Sequence, residues 1–174
     1  MRTILVAEPR AGASYILDVL NSVYDGVTLI TSPGGTLDYY KWLLEDSRVI
    51  WLTRDNKQDQ RDSWIIAHQT NKWHWTIESK NRLVELIPRV EYSKEADDEF
   101  HSRILLIDSL HQLKLPHHIA TTYEQLLLNN ELHPYKVKEQ LGIDTMLMPA
   151  RIATPYNHPR RDYIINNRLK DSTL

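Results

Sequence analysis

The chain has 174 residues, of which 41% are hydrophobic and 25% are charged, so we expect a single domain over residues 1–174 with one core of ordinary size. The 21 basic and 23 acidic residues give a formal charge of -2, so neither nucleic acid nor an anionic membrane is an expected partner. The absence of cysteine excludes disulfides, thiolate metal sites and a cysteine nucleophile.

The first 31 residues predict one β-α-β unit. An apolar run at residues 3–7 is typical of a buried strand, and a second β-rich run covers residues 27–31. Between them, apolar residues recur at helical spacing: Ile16, Leu17, Leu20 and Val23. The first strand begins almost at residue 1, and no apolar run approaches the roughly 20 residues of a membrane span. We therefore expect no signal peptide, no membrane anchor and a cytoplasmic location.

A second helix and strand follow this unit. Thr36 is a typical helix cap, and we expect a helix from there to about Glu45, followed by a strand at residues 48–54. Nearly continuous apolar strands that alternate with helices favour a parallel sheet covered on both faces. The predicted fold class is therefore α/β, with a central parallel sheet of about four to five strands.

The rest of the chain predicts further helices and one more strand. We expect, in order, a helix at 56–70, an irregular aromatic stretch at 73–75, a short helix at 77–86, an extended piece at 90–92, a helix at 94–113, a strand at 118–123 and a helix at 134–141. Phe100, Ile104, Ile107 and Leu110 form the apolar stripe of the long helix. Pro134 and Gly142 bracket the last helix, and the tail after Pro149 is basic and irregular.

The turn between the first strand and the first helix has the composition of an anion-binding site. Gly12, Ala13 and Ser14 open the helix, whose N-terminus presents N–H groups and the positive end of its dipole, and Arg10 adds a full charge. The turn lacks the lysine and glycine spacing of ATP and GTP hydrolases, which disfavours an ordinary kinase or GTPase. An ordinary strand-to-helix turn remains the alternative.

Ligands of such sheets bind beyond the carboxyl ends of the strands, where residues 8–14, 32–38 and 54–63 should converge. Arg54 ends the third strand, and Ser63 lies about two turns into the next helix, so the two residues could bind a second phosphate. A surface ion pair for either arginine and simple helix packing for Ser63 are the alternatives. Two anion sites would suit 3′-phosphoadenosine 5′-phosphosulfate.

Four segments then carry a resemblance to a known family. They are Glu8-Pro-Arg-Ala-Gly-Ala-Ser-Tyr-Ile16, Trp51-Leu-Thr-Arg-Asp-Asn-Lys-Gln-Asp-Gln-Arg-Asp-Ser-Trp-Ile-Ile-Ala67, Ala120-Thr-Thr-Tyr-Glu-Gln-Leu126, and the last helix with Leu141-Gly-Ile143. In this order they resemble the 5′-phosphosulfate loop, the 3′-phosphate segment, and the late strand and helix of sulfotransferases. The likeness is greatest to short bacterial and phage-type members related to trehalose sulfotransferase.

The resemblance implies a P-loop NTPase-like three-layer sandwich and a transferase that moves a sulfuryl group from 3′-phosphoadenosine 5′-phosphosulfate to a hydroxyl of a small molecule or glycan, without a metal. The cofactor-binding residues it implies are Arg10, Ala11, Gly12, Ala13, Ser14, Arg54 and Ser63. Arg10 would also be catalytic, and Asp38 is the candidate general base. Glu8 is the next candidate base, followed by His68 or His74. Asp38 could instead serve only to stabilise the helix dipole.

Several departures leave a second hypothesis open. Ala11 and Ala13 replace hydroxyl residues that often line the loop, and Arg54 lies nine residues before Ser63, where many members have eight. The alternative is a catalytically weakened nucleotide-binding or partner-binding module of the same fold. Because the chain is short for the family, a homodimer could complete the acceptor site.

Other residues have less specific roles in this interpretation. Aromatic residues at 73–75 either line a pocket or belong to the core. Tyr123 and Glu124 are expected to brace the loops, and Arg160 and Arg161 to lie in a solvated basic terminus.

Overall fold

The structure of the protein is a computed structural model. It describes residues 1–24, 26–71, 73, 91–113, 115, 118–129, 131–143 and 151–152. The chain divides into two compact units. The first comprises Met1–Asp55 and His101–Ala153, and the second comprises Asn56–Phe100 and Thr154–Leu174. The single domain predicted from the sequence stays a prediction.

The first unit contains a four-stranded parallel sheet. Its strands are β1 (Arg2–Ala7), β2 (Thr28–Ile30), β3 (Ser47–Thr53) and β4 (His118–Thr122), in the order β2-β1-β3-β4. Every neighbouring pair is parallel, with Leu5 opposite Leu29 on one side and Ile50 on the other. The predicted α/β class with a parallel sheet flanked by helices is confirmed. The carboxyl ends of all four strands therefore lie on one edge of the sheet.

Five described α-helices accompany the strands, with bounds that agree closely with the sequence signals, and a short 3-10 helix covers Glu124–Leu126. The α-helices are α1 (Ala13–Asn21), α2 (Leu37–Glu45), α3 (Lys57–Thr70), α4 (Lys94–His111) and α5 (Pro134–Leu141). The Thr36 side chain accepts the Tyr39 N–H at 3.3 Å, as expected of a helix cap. The predicted apolar stripe of α1 is wrong at Val23, because the helix ends at Asn21 and Val23 is 42% exposed.

One hydrophobic cluster of the first unit lies on one face of the sheet. Ile4 and Val6 of β1 and Val49 and Trp51 of β3 point to this face, as alternation along a strand requires. They pack with the apolar sides of α2 and of the second half of α4, namely Tyr40, Leu44, Ile107 and Leu110. Leu5, Ile50 and Leu52 are also buried and alternate to the opposite face. Apolar side chains on both faces of the sheet are therefore buried.

A second, three-stranded antiparallel sheet in this unit was not predicted. It consists of β5 (Leu127–Leu128), β6 (Glu131–Leu132) and β7 (Arg151–Ile152). Strands of two residues carry no alternating pattern, so the sequence gives no signal for them. The prediction of an irregular tail after Pro149 is wrong at Arg151–Ile152, because these two residues pair with β6.

The described residues of the second unit centre on α3 and residues 94–100 of α4. Trp64 donates its indole N–H to the Ala96 carbonyl at 2.8 Å and contacts the Phe100 ring. Arg61 forms an ion pair with Asp97, whose carboxylate also accepts the Tyr92 hydroxyl at 2.7 Å. Aromatic packing and the Arg61–Asp97 ion pair therefore join the two helices that the structure describes in this unit.

Some predictions fall on residues outside the described set. These are most of the aromatic stretch at 73–75, including His74, the short helix at 77–86, residue 90, and the tail from 153 on with Arg160 and Arg161. Among the residues that the structure describes, none of the helices has the length and apolar character needed to cross a membrane.

Candidate anion-binding site

The turn after β1 takes a backbone form that depends on its sequence. Arg10 has φ 63° and Gly12 has φ 84°, so two residues of the turn are left-handed. Gly12 is the N-cap of α1, and its carbonyl accepts the Tyr15 N–H at 3.1 Å, which begins the helix. The N–H groups of the first helical turn consequently point outward from the N-terminus, where an anion would be stabilised.

Gly12 also lies close to Tyr123, the residue that follows β4. A Cβ atom at this position would lie 2.9 Å from Cδ2 and 3.2 Å from Cε2 of the Tyr123 ring. Tyr123 is buried, and its N–H is bonded to the Thr53 carbonyl at 2.9 Å, so its backbone is fixed by β3. Glycine is therefore required here for both its backbone angle and its lack of a side chain.

Arg54 brings the loop after β3 to the same turn. Its Nη1 donates to the Arg10 carbonyl at 3.2 Å, and its guanidinium lies over the Tyr123 ring at 4.6 Å from the ring centre. Its Nε is 3.6 Å from Oε1 of Glu124. Arg54 is only 7% exposed, so these contacts are made in a desolvated environment where charged hydrogen bonds are strong.

Glu8 holds the backbone on which Arg54 stands. Its Oε2 accepts the Arg54 N–H at 3.0 Å, and its own N–H donates to the Leu52 carbonyl at 3.0 Å. Glu8 is 2% exposed. These contacts give Glu8 a bracing role between the ends of β1 and β3, and its action as a base stays a prediction.

Arg10 lies in an electrostatic environment that disfavours its charge. Burial is the main cause, and the neighbouring positive charge of Arg54 adds to it, so the pKa of Arg10 is lowered from its ordinary value to about 10. At neutral pH the side chain is still a cation. An anion placed beside both arginines would relieve this repulsion, which is the electrostatic property expected of an anion site.

Asp38 lies in the first turn of α2, where the helix dipole favours an acidic residue. The helix follows β2, the neighbour of β1, so its N-terminus lies at the same sheet edge as the turn at residues 8–12. Asp38 is exposed and therefore accessible to a substrate hydroxyl. The predicted catalytic role of Asp38 is compatible with this position and stays a prediction.

The second unit contains the remaining predicted site residues. Ser63 is half-buried in the middle of α3, and its pairing with Arg54 stays a prediction. The Nε2 atom of His68 lies 3.4 Å from Oε2 of Glu99. Trp73 contacts the Trp64 ring at 5.1 Å between ring centres, which gives it a packing role within this unit.

The structure thus brings together Arg10, Gly12 and Arg54 from the predicted set. Ala11 is fully buried, and Ala13 and Ser14 form the start of α1. Sequence reasoning had no signal for the direct contacts of Arg54 with Glu124 and with the Arg10 carbonyl, because both join residues far apart in the chain. In the part of the chain that the structure describes, no group of three His, Cys, Asp or Glu residues could hold a metal ion.

Comparisons with protein-family models, with curated proteins and with solved structures found no match.

Proposed function

We propose that the protein is a sulfotransferase that uses 3′-phosphoadenosine 5′-phosphosulfate as its donor and a hydroxyl of a small molecule or glycan as its acceptor. The observation that carries the proposal is the contact of the Arg54 guanidinium with the backbone carbonyl of Arg10 at the carboxyl edge of the sheet. Arg54 donates to the Arg10 carbonyl at 3.2 Å, two residues before Gly12, which opens α1. Two cations and one helix N-terminus at the end of a parallel sheet favour a ligand with several anionic groups.

In the proposed reaction the acceptor oxygen attacks sulfur, and the bond between sulfur and the 5′-phosphate oxygen breaks. Asp38 takes the acceptor proton, since an alcohol is a poor nucleophile until that proton is removed. Arg10 and the first N–H groups of α1 stabilise the negative charge that develops on the leaving phosphate. Arg54 would bind the 3′-phosphate. The finer fold assignment, a P-loop NTPase-like sandwich, belongs to this proposal, as do a cytoplasmic location and a possible homodimer.

Transfer of labelled sulfate to a panel of hydroxylated acceptors tests the proposal. We expect Arg10→Ala to abolish transfer and Asp38→Ala to slow it at least about tenfold. Glu45→Ala is the matched control, because it removes an exposed carboxylate from the other end of the same helix. Equal loss of activity in the Asp38 and Glu45 variants would contradict the role of Asp38.

A second candidate is a nucleotide-binding or partner-binding module of the same fold without turnover. The specific observation in its favour is that Arg54 is engaged within the protein, by Glu124 and by the Arg10 carbonyl. This module would be stabilised by adenosine 3′,5′-bisphosphate but would transfer no sulfate to any acceptor. If the nucleotide neither binds nor stabilises the protein at millimolar concentration, both candidates are wrong.

A further inference from the structure

Glu124 contacts the loop after β3 through both of its carboxylate oxygens. Oε2 accepts the Asp55 N–H at 2.8 Å, and Oε1 lies 3.6 Å from Nε of Arg54. One side chain therefore holds the backbone of one residue and the guanidinium of the residue before it. Such a double contact fixes the direction in which the Arg54 side chain leaves the loop.

From Arg54 the contacts continue to the turn. Its Nη1 donates to the Arg10 carbonyl, while the Tyr123 ring supports the face of the guanidinium. Arg10 has φ 63°, which costs a non-glycine residue free energy and needs support from its surroundings. A charged hydrogen bond to its carbonyl provides that support.

We propose that Glu124 is a positioning residue, which orders the turn at residues 10–13 through Arg54 and so raises the affinity of this turn for anions without contacting them. This inference rests on the anion site of the proposed function. Glu124 carries the same sign of charge as the ligand, so its charge alone would repel the ligand.

Charge alone and positioning predict opposite effects of removing that charge. If Glu124 acted only through its field, Glu124→Gln would relieve repulsion of the anion and would raise its affinity. If Glu124 positions Arg54, the same substitution leaves the guanidinium without its carboxylate partner and the turn less ordered. The affinity then falls, and we expect a loss of about tenfold, because the buried guanidinium loses the carboxylate that lies 3.6 Å from its Nε.

Calorimetric titration with inorganic pyrophosphate and with adenosine 3′,5′-bisphosphate measures this sign. We expect Glu124→Gln to weaken binding of both probes and Glu139→Gln to leave it unchanged. Glu139 pairs with Lys136 on the surface of α5, so its substitution removes the same charge elsewhere. Unchanged or tighter binding by Glu124→Gln would overturn the proposal.

The Arg54→Lys variant adds a test that a merely structural role would not pass. Lysine keeps the charge but cannot hold Glu124 and the Arg10 carbonyl in the same geometry. If Glu124 acts through Arg54, the losses of affinity in the two single variants will not add in the double variant. Fully additive losses would show that Glu124 acts by another route.

Amide hydrogen exchange of the ligand-free protein separates this inference from the proposed function. We expect faster exchange at Ala11, whose N–H donates to the Glu8 carbonyl at 3.2 Å, in Glu124→Gln than in the wild type, with β1 unchanged. Wild-type protein that binds neither probe would refute the proposed function, while exchange would still decide whether Glu124 orders the turn. Unchanged exchange at the Ala11 amide would refute the positioning role.

Discussion

Substitution of Gly12 by alanine should destabilise the protein and impair the candidate site together. An alanine at φ 84° costs about 1–2 kcal/mol relative to glycine, because Cβ approaches the following carbonyl oxygen. The new methyl group would also lie 2.9 Å from the Tyr123 ring, and overpacking of this kind costs about 1–3 kcal/mol. Tyr123 cannot easily give way, since it is buried and covered by the Arg54 guanidinium. We expect a total loss of about 3 kcal/mol.

Gly142→Ala is the matched control for the backbone contribution. Gly142 has φ 65° at the end of α5, and no atom lies within 4 Å of the position of its absent Cβ. Denaturant unfolding of both variants gives the steric contribution at Gly12 as the difference between the two losses, about 1–3 kcal/mol. In a Tyr123→Ala background this difference should vanish. Equal losses in the two glycine variants would refute the close approach.

Three further predictions concern stability and pH. Thr36→Ala removes the side-chain cap of α2 and should lower the free energy of unfolding by about 1 kcal/mol in denaturant titrations. Asp97→Asn removes the buried carboxylate that pairs with Arg61, and we expect the free energy of unfolding to fall by about 3 kcal/mol in denaturant titrations. A loss below about 0.5 kcal/mol would contradict a stabilising role of this pair. The pKa of Arg10 is lowered to about 10, so anion affinity should be constant from neutral pH to about 9 and fall above 10. Above about pH 10 the unfolded chain, in which arginine keeps its higher pKa, binds more protons than the folded protein, so the contribution of Arg10 to stability rises with pH. An anion affinity that stays constant to pH 11 would contradict the lowered pKa.

The elements with strong local signals could be predicted from the sequence. Thr36 caps α2 and Pro134 begins α5 as expected, because capping and proline geometry depend on only a few neighbouring residues. The parallel sheet followed from apolar strands alternating with helices. The short strands β5 to β7 could not be predicted, since two-residue strands are stabilised by pairing between distant segments.

The candidate site likewise has one part that the sequence predicts and another part that only the fold reveals. The Gly12 turn and its arginine are contiguous in sequence, so their anion-binding character is visible there. The engagement of Arg54 by Glu124 and the contact of Tyr123 with Gly12 depend on β4 lying beside β3. Sequence could assign both residues a bracing role only through the family resemblance, and the three-dimensional contacts identify what each one braces.

The most direct test of the proposed function is calorimetric titration of the wild-type protein with adenosine 3′,5′-bisphosphate, AMP and ATP. The proposal predicts that the bisphosphate binds at least about tenfold more tightly than AMP or ATP, and that Arg10→Ala abolishes this binding. Equal affinity for the three nucleotides, or no binding of the bisphosphate at millimolar concentration, would contradict it.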